Sequence, residues 1–562
     1  VKIALAQIAP IVGDFEANVA LISAAYARAC SANPADQARL LLTPELAVSG
    51  YVLLDLLERP EIFTRTDAAL EKLKALTKGK KTALAVGHVA RNPSNSGRAA
   101  MNCISVIEDG KTVFTQAKSL LPTYDVFDEK RYFEPATEIG VWNEGSKKIA
   151  FAICEDLWGS DQILGRKIYE KNPVDEYAKL KPDLLISLSA SPYEYGKREH
   201  REKLHGDVAK RLGAPLIYVN QIGATDDVLF DGASFATDAS GTLKGRLPAF
   251  REAYAVYDTD VPKFNPESAE FREDTAPDEL EVLTRGLVHG IQEYFTRTRF
   301  KLALLGLSGG IDSAVVATLA VRALGAKNVF GVAMPSQYSS SHALADAETT
   351  ARNLGMPIEV RPIKFLFSAA NREWGEARGG LSDIAQENLQ SRMRGMILMT
   401  LSNHYGALVL TTGNKSEIAT GYCTLYGDMC GAIAPIGDVL KTRVYEVAHR
   451  LNEWAIRDGL PPPIPESTLT KAPSAELKPN QKDQDTLPPY EELDPMLVDY
   501  LEKAMPVDEL EKKHGKWVGE MLRKIEMNEY KRRQGAPVLK VSTKAFGVGR
   551  RVPIAKRWDQ KV

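Results

Sequence analysis

Three reactive residue types stand where strands end in the first half of the chain: Glu45 after LLLTP, Lys118 in TQAKSLLPTYDVFDE, and Cys154 directly after the apolar run KIAFAI. A carboxylate base, a cation and a thiol are the parts from which acyl transfer through a thioester is built, and strand ends are where such parts are often gathered. Spacing alone does not bring them together. Taken singly, Cys154 reads first as a small buried hydrophobe, and Glu45 and Lys118 as solvated charges. A second reactive group lies in LALLGLSGGIDS, from Leu302 to Ser313. Adjacent glycines let a backbone come close to a ligand, Ser308 and Ser313 offer hydroxyls, and the first amides of a following helix favour an anion. Such a loop suits phosphate. No Lys follows the glycines, so it is not the Walker type, and it lacks the GxGxxG dinucleotide spacing.

The elements that must position these residues are legible from periodicity. Apolar strands recur at Ile3–Gln7, Leu40–Thr43, Thr82–Val86, Asn102–Ile107, Ile149–Ile153, Leu184–Leu188 and Leu216–Val219, with helical patterns such as Phe15–Cys30 and Thr66–Leu76 between them. Glu108-Asp109-Gly110-Lys111 is a hairpin signal. This mixture predicts a layered sandwich, sheets inside and helices outside. KFNPESAEFREDTAP, from Lys263, has two prolines and no apolar period and reads as a linker. We therefore expect domains at 1–262 and 279–562 with a linker at 263–278.

Beyond the linker a helix at Asp278–Thr298 leads into the strand Leu302–Leu307, followed by the helix Ala314–Leu324 and strands at Val329–Ala333, Ile358–Pro362 and Leu408–Thr412. Helices at Ser341–Leu354 and Ile384–Tyr405 alternate with them, a long polar stretch preceding the second. Alternation of this kind predicts a doubly wound parallel sheet, with ligands beyond the carboxyl ends of its strands. Ser308 and Thr412 then share one rim if their strands are neighbours. The stretch from Ile464 to Asp494 is rich in Pro, Lys and Asp and reads as a mobile loop.

At 562 residues the chain exceeds what one core serves, and its 44% apolar and 26% charged fractions are those of a globular protein. A net charge of −2 argues against a global attraction to nucleic acid or anionic membrane. No stretch approaches the roughly 18 apolar residues of a membrane span. The five cysteines are widely spaced, without a CxxC pair, which suits reduced thiols. VKIALAQIAP begins on a strand pattern without a charged leader, so a cytoplasmic location is expected. The basic segment from Lys512 to Val562 reads as a solvated face or a phosphate-facing surface.

The segments TPELAVSGY, AKSLLPTYDVFDE and FAICEDLWG resemble, in order, the three signatures of the nitrilase, or carbon–nitrogen hydrolase, superfamily, and the likeness extends over about the first 260 residues. It implies an α-β-β-α sandwich and a catalytic triad of Glu45, Lys118 and Cys154. Glu129, in DVFDEKRYF, resembles a second carboxylate placed near the nucleophile and reads equally as a surface member of the charged DEKR cluster. Tyr51, Tyr124, Glu155, Ser191 and Lys197 occupy positions that surround glutamine in glutaminase members, with Lys197 suited to the α-carboxylate.

SGGIDS resembles the pyrophosphate loop of the ATP pyrophosphatases (adenine-nucleotide α-hydrolase-like fold), and the chain from about residue 279 is similar to the NAD synthetases. With the nitrilase half in front, it resembles their glutamine-dependent family. The resemblance implies a ligase that adenylates the nicotinate carboxylate of deamido-NAD with ATP and amidates it with ammonia released from glutamine. It implies that Ser308, Gly309, Gly310, Ile311, Asp312, Ser313, Thr412 and Lys441 bind ATP, and that Asp312 and Glu417 hold Mg2+. Arg392, Tyr422, Asp428 and Lys531 fall on the deamido-NAD side. Lys471 and Ser474 are expected contacts of a loop closing over the nucleotide. The partners expected are glutamine, ATP, deamido-NAD and further copies of the chain, with no nucleic acid and no membrane. Rival readings are another amidated acceptor, a tRNA-modifying pyrophosphatase, or a silent nucleotide or glutamine sensor.

Overall fold

A computed structural model describes residues 1–159, 162–163, 166–267, 278–375 and 380–557. The chain divides into two compact units, Val1–Val282 and Leu283–Val562. The division falls one turn into the helix expected to open the second domain. Of the expected linker, residues 268–277 lie outside the described residues, whereas Lys263–Phe264 form a strand because Phe264 is buried against Tyr257, ring centroids 5.2 Å apart.

Unit 1 begins β1 (Lys2–Gln7), α1 (Phe15–Ala29), β2 (Leu40–Leu42), α2 (Glu61–Thr77), β3 (Ala83–Arg91), β4 (Ala100–Glu108), β5 (Lys111–Ala117), α3 (Glu129–Tyr132), β6 (Val141–Glu144) and β7 (Lys147–Ile153). It continues β8 (Gln162–Ile163), β9 (Arg166–Lys167), α4 (Pro173–Leu180), β10 (Leu184–Ser189), α5 (Lys197–Leu212), β11 (Leu216–Asn220), β12 (Ile222–Thr225), β13 (Val228–Asp231), β14 (Phe235–Thr237), β15 (Leu243–Arg246), β16 (Ala253–Asp258) and β17 (Lys263–Phe264). Two large sheets result, ordered β17-β16-β1-β2-β3-β4-β5 and β15-β14-β11-β10-β7-β6, with two-stranded sheets β12-β13 and β8-β9 besides.

Strand alternation explains the layers, because successive side chains point to opposite faces. Ile3, Leu5, Leu40 and Leu42 meet Ile149, Phe151, Ile153 and Ile186 in the core between the sheets. Ala4, Leu41, Leu84 and Val86 face outward onto Phe15, Ile22 and Leu73 of α1 and α2. Ala150, Ala152 and Leu185 meet Val174, Tyr177 and Val208 of α4 and α5 on the other side. The order is α-β-β-α, and the central strands are apolar throughout because both of their faces are covered. The expected hairpin pairs Glu108 with Lys111, with Asp109 (φ 44°) and Gly110 (φ 76°) both left-handed, as a DG turn requires.

Unit 2 contains α6 (Glu279–Thr298), whose first residues belong to unit 1, then β18 (Ala303–Gly306), α7 (Ile311–Leu324), β19 (Val329–Ala333), α8 (Ser341–Leu354), β20 (Ile358–Val360), α9 (Lys364–Gly375), α10 (Asp383–Tyr405), β21 (Leu408–Val409), α11 (Lys415–Thr420), α12 (Lys441–Arg457), α13 (Glu466–Thr470) and α14 (Tyr490–Leu497). The sheet is parallel, in the order β20-β19-β18-β21. Leu304, Val332 and Val409 pack on Phe367, Met393 and Leu398 of α9 and α10.

Three stretches differ from the sequence reading. The polar stretch before residue 384 contains α9, whose buried contribution is small, chiefly Phe367, so the helical period is faint. The strand expected to run to Thr412 has a ladder only over Leu408–Val409, after which Leu410 bridges Ile433 instead. The stretch from Ile464 to Asp494 contains α13, a single 3-10 turn at Asp483–Asp485 and the start of α14. Its short turns are held by polar side chains, which leave no apolar period to detect.

Candidate active sites

In unit 1 the reactive residues converge where the two sheets end. Lys118 follows β5 of one sheet and Cys154 follows β7 of the other. Lys118 Nζ donates to Glu45 Oε1 and to Glu129 Oε1, each at 2.8 Å, and all three side chains are buried. Glu45 Oε1 also accepts from Asn102 Nδ2 at 2.7 Å, and its Oε2 accepts the Ala190 N–H at 2.8 Å. Tyr51 OH donates to Glu129 Oε1 at 2.8 Å. Glu129 is thus placed among the buried charges and not on the DEKR surface.

Burial opposes the charge on Lys118, but Glu129 and Glu45 outweigh it and hold the ammonium well above its ordinary range. Burial raises the Glu129 carboxyl to about 7 against the pull of Lys118. Burial and then Glu45 push the Cys154 thiol up, against Lys118. The resting group is a thiol, and a base must take its proton as it attacks. Cys154 has φ 42°, a left-handed conformation that lifts it out of the strand direction into a 3-10 turn over Cys154–Leu157.

The residues expected around glutamine lie in the same unit. Glu155 accepts Tyr124 OH on both oxygens at 3.0 Å and Tyr169 OH at 2.9 Å. Lys197 Nζ donates to Pro192 O at 3.0 Å and lies 5.6 Å from the Trp158 ring centroid. Ser191 is buried, its N–H donating to Asn220 Oδ1 at 2.8 Å. Sequence reasoning missed Asn102, Tyr169 and Asp156. Asn102 and Tyr169 carry no local pattern, and Asp156 was visible only as the second residue after the cysteine.

In unit 2 the loop between β18 and α7 is closed by its own hydroxyls. Ser313 Oγ donates to Gly310 O at 2.9 Å and accepts the Ser308 N–H at 3.2 Å, while Gly310 N–H donates to Ser308 Oγ at 3.2 Å. Gly309 has φ 80°, and a Cβ there would stand 2.1 Å from Ala343 O, so the position demands glycine. The Ile311 side chain is buried, leaving its main chain to the loop. β18 pairs directly with β21, Leu304 opposite Val409, so Ser308 and Thr412 do follow neighbouring parallel strands. The order places them where the chain direction of the winding reverses.

Beside this loop Lys441 Nζ is paired with Asp312 Oδ2 and lies 3.5 Å from Glu417 Oε1. Asn414 Nδ2 donates to Asp312 Oδ1 at 2.9 Å, and Asn414 and Glu417 form a reciprocal cap on α11. Burial and Asp312 raise the Glu417 carboxyl to about 8 against Lys441. Two facing carboxylates under-neutralised by one lysine fit a divalent cation. Among the described residues no group of three or more metal-ligating side chains forms, but Mg2+ commonly takes only one or two protein carboxylates with substrate phosphates.

Two carboxylates that sequence reasoning missed frame the pair. Asp494 accepts Ser416 Oγ at 2.5 Å and both Thr442 N–H and Oγ1 at 2.8 Å, and Ser416 Oγ accepts the Lys441 N–H at 3.0 Å. Asp483, buried, accepts Tyr490 OH at 2.8 Å, and the Tyr490 ring centroid lies 5.5 Å from Lys441 Nζ.

The four residues expected on the dinucleotide side gather around loop 421–428. Lys531 Nζ donates to Gly421 O and Cys423 O at 2.8 and 2.9 Å, and the exposed Arg392 donates through Nε to Leu425 O at 3.2 Å. Asp428 accepts the Thr424 N–H at 2.8 Å and Ser391 Oγ at 3.2 Å, while Tyr422 OH accepts from Gln481 Nε2 at 3.5 Å. Lys471 is paired with Glu476 at 2.6 Å, and Glu476 N–H donates to Ser474 Oγ at 3.1 Å. Thr468, from the same stretch, donates to Gly309 O at 3.3 Å.

Comparison with known proteins gives two family matches that divide the chain between them, carbon-nitrogen hydrolase over residues 2–264 and NAD synthase over residues 283–535. The glutamine-dependent NAD(+) synthetase of Synechocystis sp. is 43% identical over 99% of this chain and 98% of its own, and that of Acinetobacter baylyi is 38% identical over the same shares. A solved glutamine-dependent NAD+ synthetase from Acinetobacter baumannii, in complex with ADP, is 35% identical with TM-score 0.75 and 98% of each chain covered. Both reactive groups and full-length similarity therefore agree: the chain belongs to the glutamine-dependent NAD(+) synthetases.

Proposed function

We propose that the two units divide glutamine-hydrolysing NAD synthesis between the two clusters of side chains. In unit 1, Cys154 Sγ attacks the side-chain amide carbon of glutamine as Glu45 takes the thiol proton. Glu45 Oε2, with a single donor in Ala190, keeps a lone pair for that proton. Lys118 stabilises the oxyanion, Glu45 returns the proton to the departing nitrogen, and water hydrolyses the thioester to glutamate. Tyr124, Glu155 and Lys197 hold the amino-acid end of glutamine, and Tyr51, Ser191 and Glu129 line its amide end.

In unit 2, Ser308, Gly309, Gly310, Ser313, Thr412 and Lys441 hold ATP, consistent with the ADP in the A. baumannii relative. Ile311 adds its main chain. Asp312 and Glu417 would hold Mg2+, which supplies charge neutralisation for the triphosphate. The nicotinate carboxylate of deamido-NAD, oriented by Tyr422 and Asp428 with Arg392 and Lys531 nearby, attacks the α-phosphorus and pyrophosphate leaves. Ammonia then attacks the acyl carbon and AMP leaves with the carboxylate oxygen, giving NAD. The exposed apolar side chains of α9 and α10, among them Phe365, Met396 and Met399, support assembly of several copies.

The observation that carries this reading is Lys118 buried between Glu45 and Glu129 at the end of one sheet while Cys154 rises from the end of the other. The test is a product assay for NAD with glutamine or ammonium chloride as nitrogen source. Cys154→Ala is expected to abolish synthesis from glutamine and to keep synthesis from ammonium. Loss of neither, or of both, overturns the division of labour.

A further inference from the structure

The thiol and the cation stand at the ends of strands in different sheets, and something must fix their separation. Asp156, fully buried in the turn that carries Cys154, reaches both. Its Oδ2 accepts the N–H of Ile153, the residue before the thiol, at 3.0 Å. Its Oδ1 accepts the N–H groups of Ser119 and Leu120, the two residues after Lys118, at 2.8 and 2.9 Å. The Lys118 N–H is in turn held by Asn102 O at 2.8 Å, and Asn102 Nδ2 holds Glu45.

We propose that Asp156 is a positioning residue for glutamine hydrolysis: its carboxylate staples the end of β5 to the end of β7 and so sets the distance of Lys118 from Cys154. The side chain suits this use. Three backbone N–H donors converge on it, so both oxygens must accept, which an ionised carboxylate does and an amide cannot. The strained turn at Cys154 needs such a hold, because a left-handed non-glycine residue persists only where its surroundings fix it. Asp156 touches neither the amide of glutamine nor its leaving group in this reading, so its effect should fall on turnover and not on binding. The inference rests on the triad reading above.

The test uses the full chain carrying Asp156→Asn, with glutamine affinity measured in the inactive Cys154→Ala background so that the pocket is assayed without turnover. We expect kcat with glutamine to fall by about 100-fold or more while the glutamine Kd stays within about threefold, since small misplacement of reacting groups costs on this scale. Synthesis from ammonium is expected to be unchanged. A glutamine kcat within about threefold of the parent overturns the staple. So does a glutamine Kd that weakens in parallel with kcat, because Asp156 would then support the pocket as a whole. Cys154→Ala that still uses glutamine would instead overturn the triad reading, independently of Asp156→Asn.

Discussion

Glu129 shows how far a single residue departs from what its neighbours in sequence suggest. It lies in a charged run yet is buried, one oxygen shared by Lys118 and Tyr51. Burial, opposed by Lys118 and reinforced by Glu45, moves its carboxyl from 4.5 to about 7. Between those values the folded chain binds more protons than the unfolded one, so the slope of stability against pH is negative. Rising pH therefore removes stability across this window, the loss being complete once Glu129 is ionised. Glu129→Gln is expected to flatten this component, and urea unfolding of parent and variant at pH 5 and pH 8 measures it. Equal pH dependence in the two proteins would sink the assignment. The roles of Glu45, Lys118 and Cys154 were legible through the three nitrilase-like segments that carry them, while spacing alone did not show that they meet. Strand ends reveal nothing of which sheets they close, and β5 and β7 lie in different ones.

At the scale of elements, the synthetase cluster depends on α14 as much as on the glycine loop. Asp494, on α14, binds Ser416 of α11 and Thr442 of α12, the helices that bear Glu417 and Lys441. Asp494→Ala leaves three donors of buried Ser416 and half-buried Thr442 without their carboxylate, and hydrogen bonds to charged groups are strong, so a loss of about 3 kcal/mol is expected. Denaturant unfolding should show it together with reduced ammonium-dependent synthesis and normal glutamine hydrolysis. Unchanged ammonium-dependent turnover would show that α14 does not hold the pair. The long strands and helices of both units were readable from their 2.0 and 3.6 periods. α9, α13 and α14 were not: among the described residues α9 and α13 bury little beyond Phe367 and Thr468, and α14, although it buries Tyr490, Leu493, Met496 and Leu497, carries Pro495 and begins inside the stretch, Asp494 included, that composition alone marked as loop.

For the whole molecule, full-length similarity and two compact units fix the order of activities along the chain. Among the described residues no helix is long and apolar enough to cross a membrane. The assembly of copies proposed above would draw on α10. Met396 and Met399, one turn apart and beside Arg392, are 54% and 41% exposed, which leaves a stripe of apolar surface on a helix that already covers the sheet. Met396→Glu with Met399→Glu is expected to lower the mass seen by light scattering, and a mass identical to that of the parent would place the assembly surface elsewhere. The stripe carried no separate signal in the sequence, since periodicity cannot distinguish a face turned to a core from one turned to another copy.

The division of the chain near Leu283 has a nutritional meaning. All residues assigned to ammonia release lie on one side of it and all those assigned to NAD formation on the other. On the proposed division of labour, a cell that depends on a chain with a broken first unit would keep its NAD supply only where ammonium is available, and nitrogen source would then decide its growth more than the amount of enzyme.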